Sequence, residues 1–204
     1  MNKGQVRFVP IGDSYTIGEG VSPVESWPVV LTRHLNEKGL NVTLVGNPAR
    51  TGFTSRDAID FELRVFESSK PGFGVLMVGV NDFVQGISEE DFRLNLVFLI
   101  EEMQKQLPDK TRLLLVNIPD YSVTPTGAGF AFGRDVPAGL RRFNNIIEEE
   151  ASRRGLKVVD VYSLSLEMGK DGSLVASDGL HPSGKEYALW EERIFPLALD
   201  LLEK

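Results

Sequence analysis

The chain has 204 residues, of which 42% are hydrophobic and 25% are charged, so it is long enough for one domain with a substantial core. Its 22 basic and 29 acidic side chains give a net charge of −7. This balance argues against a nucleic-acid partner, because no basic stripe is present to neutralise phosphates. The lack of cysteine excludes disulfides, thiolate catalysis and cysteine-based zinc sites.

No apolar run reaches the roughly 20 residues needed to cross a bilayer, so we expect no membrane span. The N-terminal sequence MNKGQVRFVP has no signal-peptide core and leads almost at once into an apolar run. We therefore expect a cytoplasmic protein, an expectation that fails if a leader has been removed. No feature of the sequence indicates the oligomeric state.

The first apolar run ends in Gly12-Asp13-Ser14, within the segment VRFVPIGDSYTIG. A buried strand that ends in small and polar residues is how an open parallel sheet presents a reactive group at its carboxyl edge. The alternative is an ordinary turn, since Gly, Asp and Ser are common turn residues. We expect a long Gly-rich loop after Ser14, followed by an amphipathic segment that Trp27 opens.

The rest of the chain alternates short apolar runs with amphipathic segments. Further strands are predicted at Val42–Val45, Phe73–Val78, Arg112–Asn117 and Lys157–Val161. Helices are predicted after Ser26, from about Ser55 to Phe66, after Ser88, across Leu140 to Ala151, and from about Ser183, where Pro196 should kink or break the last one. This order predicts an α/β fold, a three-layer α/β/α sandwich with a five-stranded parallel sheet, as a single domain over residues 1–204.

The chain has two histidines. His34 falls in the middle of a predicted helix, where a half-exposed surface role is the better interpretation. His181 lies in a loop, three residues after Asp178. One interpretation of this Asp-Gly-Leu-His-Pro stretch is a helix-entry turn with a capping Asp. The other is that His181 is a catalytic base: Asp178 holds one of its ring nitrogens, and the other ring nitrogen faces Ser14.

A serine hydrolase also needs donors for a developing oxyanion. Asn81 follows the buried strand that ends in Gly-Val-Asn-Asp, and its amide can donate at the carboxyl edge. The backbone N–H groups of Ser14 and of a glycine such as Gly52 can donate there too. Taken singly, Asn81 is equally a turn residue and Gly52 a backbone hinge.

Together these blocks resemble the SGNH, or GDSL, hydrolase family. The matching residues are Gly12-Asp13-Ser14 with Gly18, Asn47 and Gly52, Gly79-Val80-Asn81-Asp82, and Asp178-Gly179-Leu180-His181. They come in family order and span nearly the whole chain. Tyr15 stands where the leucine of the GDSL signature is expected, and the block around Gly52 is the loosest match.

The resemblance implies a flavodoxin-like SGNH fold with Ser14 as nucleophile, His181 as base and Asp178 as its partner. The N–H groups of Ser14 and Gly52 and the Asn81 side chain would form the oxyanion hole, with Gly46 as the alternative glycine. Asp13 and Asp82 are expected to tie loops together by hydrogen bonds. No metal and no cofactor are implied.

The leading hypothesis is therefore a serine ester hydrolase acting through an acyl-Ser14 intermediate on a small-molecule ester. A short-chain ester, a lysophospholipid, an acyl thioester and an acetylated sugar remain open as substrates. The aromatics Tyr121, Phe130 and Phe132 either wall the acyl pocket or belong to the core. A binding module without turnover is the alternative from another class, and a two-metal phosphoesterase is a poor fit to two histidines.

Overall fold

The structure, a computed structural model, describes residues 4–203. At its centre lies a sheet of five parallel strands in the order β2-β1-β3-β4-β5. The strands are β1 (Val6–Gly12), β2 (Val42–Leu44), β3 (Phe73–Met77), β4 (Leu113–Val116) and β5 (Lys157–Val159). The strand order reverses between β1 and β3, and open α/β sheets bind ligands outside the carboxyl ends of the strands at such a point.

Helices cover both faces of this sheet. They are α1 (Ser14–Ile17), α2 (Trp27–Glu37), α3 (Ser55–Asp57), α4 (Leu63–Ser68), α5 (Val80–Gln85), α6 (Glu89–Gln106), α7 (Val136–Arg153), α8 (Tyr162–Ser165) and α9 (Gly184–Glu203). Helix α2 packs against α9, while α6 packs against both α4 and α7. Every residue of β3 and β4 is buried, as coverage on both faces requires. The predicted three-layer α/β/α sandwich is confirmed.

The predicted strands are present, although several are shorter than the apolar runs that signalled them. Strands β2 and β5 form the two edges of the sheet and pair for only three residues each. Within residues 4–203, none of the helices combines the length and the apolar character that crossing a membrane requires. Residues 1–3 and 204 lie outside the described residues, so the predicted single domain is described here over 4–203 alone.

Short helices stand where the sequence pattern indicated loops or strand ends. The predicted loop after Ser14 begins with the single turn α1, and Asn81 lies in α5 rather than in an extended strand end. The segment between Tyr121 and Gly133 contains two 3-10 turns, at Tyr121–Val123 and Gly127–Phe130. Elements of one turn are too short to show a helical period in the sequence.

Two predicted helices also differ in detail. The segment from Ser55 continues to the end of α4 through a π-helical turn at Ala58–Glu62. Helix α9 runs past Pro196 without a break. Ile194 and Ala198, on either side of this proline, are fully buried, and this packing stabilises the helix against the hydrogen bond that Pro196 removes.

Candidate active site

Ser14 follows the carboxyl end of β1 and is the first residue of α1. The turn before it requires Gly12, because a Cβ atom there would lie 2.1 Å from Oγ1 of Thr16 and 2.6 Å from the carbonyl oxygen of Met77. As the first helical residue, Ser14 has a backbone N–H with no intrahelical acceptor. The sequence thus forms a sharp strand-to-helix turn that holds Ser14 at the edge of the sheet.

Asp13 joins this turn to the neighbouring strand end. Its Oδ1 accepts the N–H of Tyr15 at 3.0 Å, and its Oδ2 accepts from Nδ2 of Asn81 at 3.3 Å. Asp13 is buried, and this burial raises its pKa to about 8, although the hydrogen bond from Tyr15 opposes the rise. Its contacts are those of the structural residue that the sequence predicted.

His181 and Asp178 share the loop before α9. Oδ1 of Asp178 accepts the backbone N–H groups of Leu180 and His181 at 2.8 and 3.0 Å, and its Oδ2 lies 2.7 Å from Nδ1 of His181. Partial burial tends to raise the pKa of Asp178, but these hydrogen bonds outweigh it and hold the pKa below its ordinary value. The charged carboxylate therefore orients the ring and leaves Nε2 of His181 for another group.

Ser14 and His181 line one cavity of about 80 Å³ at the carboxyl edge of the sheet. The other lining residues are Tyr15, Val80, Asn81, Val84, Tyr121, Phe130 and Leu180. Across the described residues, no hydrogen bond joins the side chains of Ser14 and His181. Catalytic hydrogen bonds are often long in free enzymes and tighten when substrate binds.

Several hollows are larger than this cavity, and the two of about 420 and 390 Å³ lie at the opposite edge of the sheet, beside Gln5 and Gly72. That edge carries the amino ends of the strands, whereas sheets of this class bind ligands at the carboxyl ends. The smaller cavity, which holds Ser14 and His181, is therefore the candidate active site.

Asn81 lies in the first turn of α5, directly after β3. Its Nδ2 donates to the carbonyl oxygen of Phe53 at 2.9 Å. From the same helix, Nε2 of Gln85 donates to the carbonyl oxygen of Gly52 at 3.0 Å. These two hydrogen bonds bring the loop that carries Gly52 against the helix that carries Asn81.

The two candidate glycines of this loop differ in conformation. Gly52 has a φ of +80°, a left-handed conformation that favours glycine, and open space surrounds the position of its missing side chain. Gly46 has no such φ, and a Cβ atom there would lie 3.9 Å from Cγ1 of Val65. Gly52, not Gly46, is the glycine that this structure ties to the Asn81 helix.

Asp82 connects α5 to α3. Its Oδ2 accepts the N–H of Ser55 at 2.8 Å, and the Ser55 hydroxyl donates to its Oδ1. Burial raises the pKa of Asp82, although both hydrogen bonds from Ser55 lower it. Asp82 therefore has the contacts of a loop-tying residue.

Two of the three predicted substrate aromatics border the cavity. The Tyr121 hydroxyl donates to the carbonyl oxygen of Phe130 at 3.3 Å, and both residues line the cavity. Phe132 does not line it. The side chain is 70% exposed, and its ring lies 5.6 Å from the guanidinium carbon of Arg134. Phe132 and Gly133 both have positive φ angles, so the chain reverses direction here.

Sequence reasoning missed Glu19. Its Oε2 lies 4.0 Å from Nε2 of His181, and the hydroxyl of Thr51 donates to the same oxygen. The signal in the sequence was its position between Gly18 and Gly20, which both adopt positive φ angles and so turn the chain sharply around it.

Glu62 was also missed. Its Oε2 accepts the N–H of Gly12 at 3.0 Å, and this hydrogen bond stabilises the turn before Ser14. Burial raises the pKa of Glu62 to about 8, although the Gly12 hydrogen bond lowers it. Among the described residues, its Oε1 has no partner. Nothing in the sequence distinguished Glu62 from an exposed glutamate of an amphipathic helix.

His34 lies away from the cavity, on α2. Its Nδ1 is 3.0 Å from Oε2 of the buried Glu191 on α9. The side chain is about one third exposed, as predicted for a surface role. Residues 4–203 contain no group of three or more His, Cys, Asp or Glu side chains that could hold a metal ion.

Comparison with known proteins relates this geometry to a family. The chain resembles, in its fold, the solved structures of TesA (21% identity, 96% of this chain and 99% of that one, TM-score 0.75) and of a lipase/acylhydrolase from Enterococcus faecalis (23% identity, 96% of each chain, TM-score 0.77). It also resembles a family 3 carbohydrate esterase from Clostridium thermocellum (18% identity, 98% of each chain, TM-score 0.79). No curated protein matches in sequence.

The family model of the GDSL-like lipase/acylhydrolase family matches residues 11–189. This range contains Ser14, Gly52, Asn81, Asp178 and His181, and it confirms the resemblance that the sequence motifs indicated. The chain belongs to the GDSL-like lipase/acylhydrolase family, a family of carboxylic ester hydrolases.

Proposed function

We propose that this protein hydrolyses esters through an acyl intermediate on Ser14, with His181 as the general base and Asp178 as its partner. The observation that carries the proposal is the shared cavity of Ser14, Asn81 and His181, behind which Asp178 holds Nδ1 of His181 at 2.7 Å. Serine is a weak nucleophile until a neighbouring base removes its proton, and this arrangement supplies that base.

In the acylation step, Nε2 of His181 accepts the Ser14 proton while Oγ attacks the ester carbon. The tetrahedral intermediate collapses when His181 gives this proton to the leaving alcohol. Water then enters and attacks the acyl carbon while His181 takes its proton. The Oγ–acyl bond breaks as His181 gives this proton to Oγ, which releases the acid and restores the Ser14 hydroxyl. Asp178 stays ionised throughout and stabilises the imidazolium that forms twice in each cycle.

We propose that the oxyanion accepts hydrogen bonds from the backbone N–H groups of Ser14 and Gly52 and from the side-chain amide of Asn81. Both amide hydrogens of Asn81 have acceptors in the free protein, Phe53 at 2.9 Å and Asp13 at 3.3 Å. The contact with Asp13 is the longer and therefore the weaker, so it is the one that an oxyanion would share or replace. Asn81 would then hold the loop with one hydrogen and stabilise the intermediate with the other.

The size of the cavity favours a short acyl group. At about 80 Å³ it is much smaller than a drug-sized pocket, and Val80, Val84, Tyr121 and Phe130 give it an apolar wall. We therefore propose a short-chain ester as the substrate. An O-acetylated sugar is the second candidate, because an acetyl group fits the same space, and an acetyl xylan esterase (17% identity, TM-score 0.75) is among the similar structures.

The test is hydrolysis of p-nitrophenyl acetate, butyrate, octanoate and palmitate by the wild type and by Ser14→Ala. We expect kcat/KM to be highest for the acetate or butyrate, and Ser14→Ala to be inactive while unfolding at the same temperature. A fluorophosphonate should label the wild type once, forming an Oγ–P bond with loss of fluoride. Equal turnover by the Ser14→Ala variant would exclude the mechanism.

A further inference from the structure

The carboxylate of Glu19 lies beside Nε2 of His181, the ring nitrogen that Asp178 leaves free. Its Oε2 lies 4.0 Å from Nε2 of His181, while Oδ2 of Asp178 contacts the other ring nitrogen, Nδ1. The Glu19 side chain is 34% exposed, so a bound substrate has access to it. The proposed ester hydrolysis assigns no step to this residue.

Several contacts hold Glu19 in place. Its N–H donates to the carbonyl oxygen of Ser14 at 2.9 Å, and the Thr51 hydroxyl donates to its Oε2. The next residue, Gly20, packs so closely on the loop of His181 that a Cβ atom there would lie 2.6 Å from Cβ of Ala176. The carboxylate is therefore fixed relative to both Ser14 and His181, which is what a selective contact requires.

The position of the leaving oxygen follows from the proposed function. Nε2 of His181 must donate its proton to that oxygen, which brings the two atoms to about 2.8 Å. Because Nε2 is 4.0 Å from Oε2 of Glu19, the leaving oxygen and the carboxylate are then at most about 7 Å apart. This is less than the Debye length of about 8 Å at physiological ionic strength, so the charge of Glu19 acts on the alcohol portion.

Glu19 is not among the residues that line the cavity. Of the lining residues that the structure describes, none is Lys or Arg. Arg134 donates to backbone carbonyls of α5, and Arg50 lies over the ring of Phe53. Asp178, whose pKa is lowered by its hydrogen bonds, adds a second negative charge on the other side of His181.

We propose that Glu19 selects esters by the charge of their alcohol portion, favouring a cationic alcohol and disfavouring an anionic one. The inference rests on the proposed function of Ser14 and His181. The charge of such an alcohol sits beyond the leaving oxygen, so its distance from Oε2 is about 7–10 Å, and Coulomb's law with the dielectric constant of water then gives about a two- to threefold effect per unit charge. Between a cationic and an anionic ester the effect is therefore about four- to eightfold.

The test uses three esters of nearly equal shape: the choline ester, the neutral 3,3-dimethylbutyl ester, and the anionic 3-carboxy-3-methylbutyl ester of the best-cleaved acid. Release of the acid is measured at low ionic strength. The Glu19→Gln variant removes the charge and keeps an oxygen that accepts from Thr51. The control is Glu37→Gln, which removes an exposed charge on α2.

We expect Glu19→Gln to lower the cationic-to-anionic ratio of kcat/KM by about four- to eightfold, and 1 M NaCl to lower the wild-type ratio similarly. The Glu37→Gln control should keep the wild-type ratio. An unchanged ratio, or an equal loss on all three esters, overturns the inference while p-nitrophenyl ester hydrolysis still supports the proposed function. Failure of the wild type on every ester overturns the proposed function, and this inference with it.

Discussion

The Nδ2 atom of Asn81 lies 2.9 Å from the carbonyl oxygen of Phe53, the residue that follows Gly52. This hydrogen bond crosses from the end of β3 to the loop after β2. Asn81 therefore holds this loop in place, and it is also the proposed oxyanion donor. A substitution at Asn81 therefore tests both roles, and the two roles affect different measurements.

Asn81→Ala should lower kcat by about 10²–10³, the range known for the loss of one oxyanion donor in another serine hydrolase. KM should change less, because the donor acts on charge that develops after binding. Steady-state kinetics with the best p-nitrophenyl ester give both values. Gln85→Ala is the matched control, since it releases the same loop from α5 without removing a proposed donor. An equal fall in kcat in both variants would show that Asn81 only holds the loop.

A pair of alanine substitutions distinguishes the two candidate glycines. Gly52→Ala places a side chain at φ +80°, which costs about 1–2 kcal/mol, so the loop should shift and kcat should fall. Gly46→Ala meets only Val65 at ordinary contact distance and should leave kcat within about twofold of the wild type. A loss of activity in Gly46→Ala but not in Gly52→Ala would indicate that Gly46 is the oxyanion glycine.

Much of this architecture was predictable, because it depends on patterns of apolar and polar residues that are visible in the sequence. The buried runs of β1 and β3 lead into polar residues, and parallel strands bring their carboxyl ends to one edge. Ser14 and Asn81 were therefore predicted at that edge before any coordinates. The three-residue spacing of Asp178 and His181 predicted a shared loop, and the structure joins them by a hydrogen bond of 2.7 Å.

Other parts of the site were not predictable, because they depend on how distant segments meet. Glu19 approaches His181, which is far away in the sequence, only because positive φ angles at Gly18 and Gly20 turn its loop back. Glu62 reaches Gly12 from a π-helical turn, whose extra residue shifts the face that a regular helix would present. The sequence does not record which distant segment either side chain meets.

The two histidines give a direct test of the assigned base. His181→Gln should lose nearly all activity, because glutamine cannot accept the Ser14 proton. Asp178→Asn should be impaired by up to about 10⁴, the effect known when a triad Asp is replaced in another protease and the imidazole takes the wrong tautomer. His34→Gln should keep its kcat/KM, since His34 contacts Glu191 on α9 and does not line the cavity of Ser14. An inactive His34→Gln beside an active His181→Gln would contradict the triad.

The buried carboxyl of Glu62 predicts an unusual dependence of stability on pH. Its pKa is raised from 4.5 to about 8, so the folded protein holds this proton where the unfolded chain releases it. A group with a raised pKa contributes its stability fully below the unfolded value and loses it as the pH rises through the folded value. The contribution of Glu62 should therefore fall between about pH 4.5 and pH 8, and the pKa of Asp13, also about 8, acts in the same direction.

Glu62→Gln tests this directly, because glutamine is neutral at every pH and its oxygen still accepts the Gly12 N–H. The variant should lie close to the wild type near pH 5 and exceed its free energy of unfolding by about 3–4 kcal/mol near pH 8. Urea unfolding at both pH values measures the difference, and it cancels the contribution of Asp13, which both proteins share. Glu67→Gln, on the exposed face of α4, is the control and should show no such divergence. A Glu62→Gln variant that is less stable than the wild type at pH 8 would mean that the ionised carboxylate, and not the neutral acid, supports the turn before Ser14.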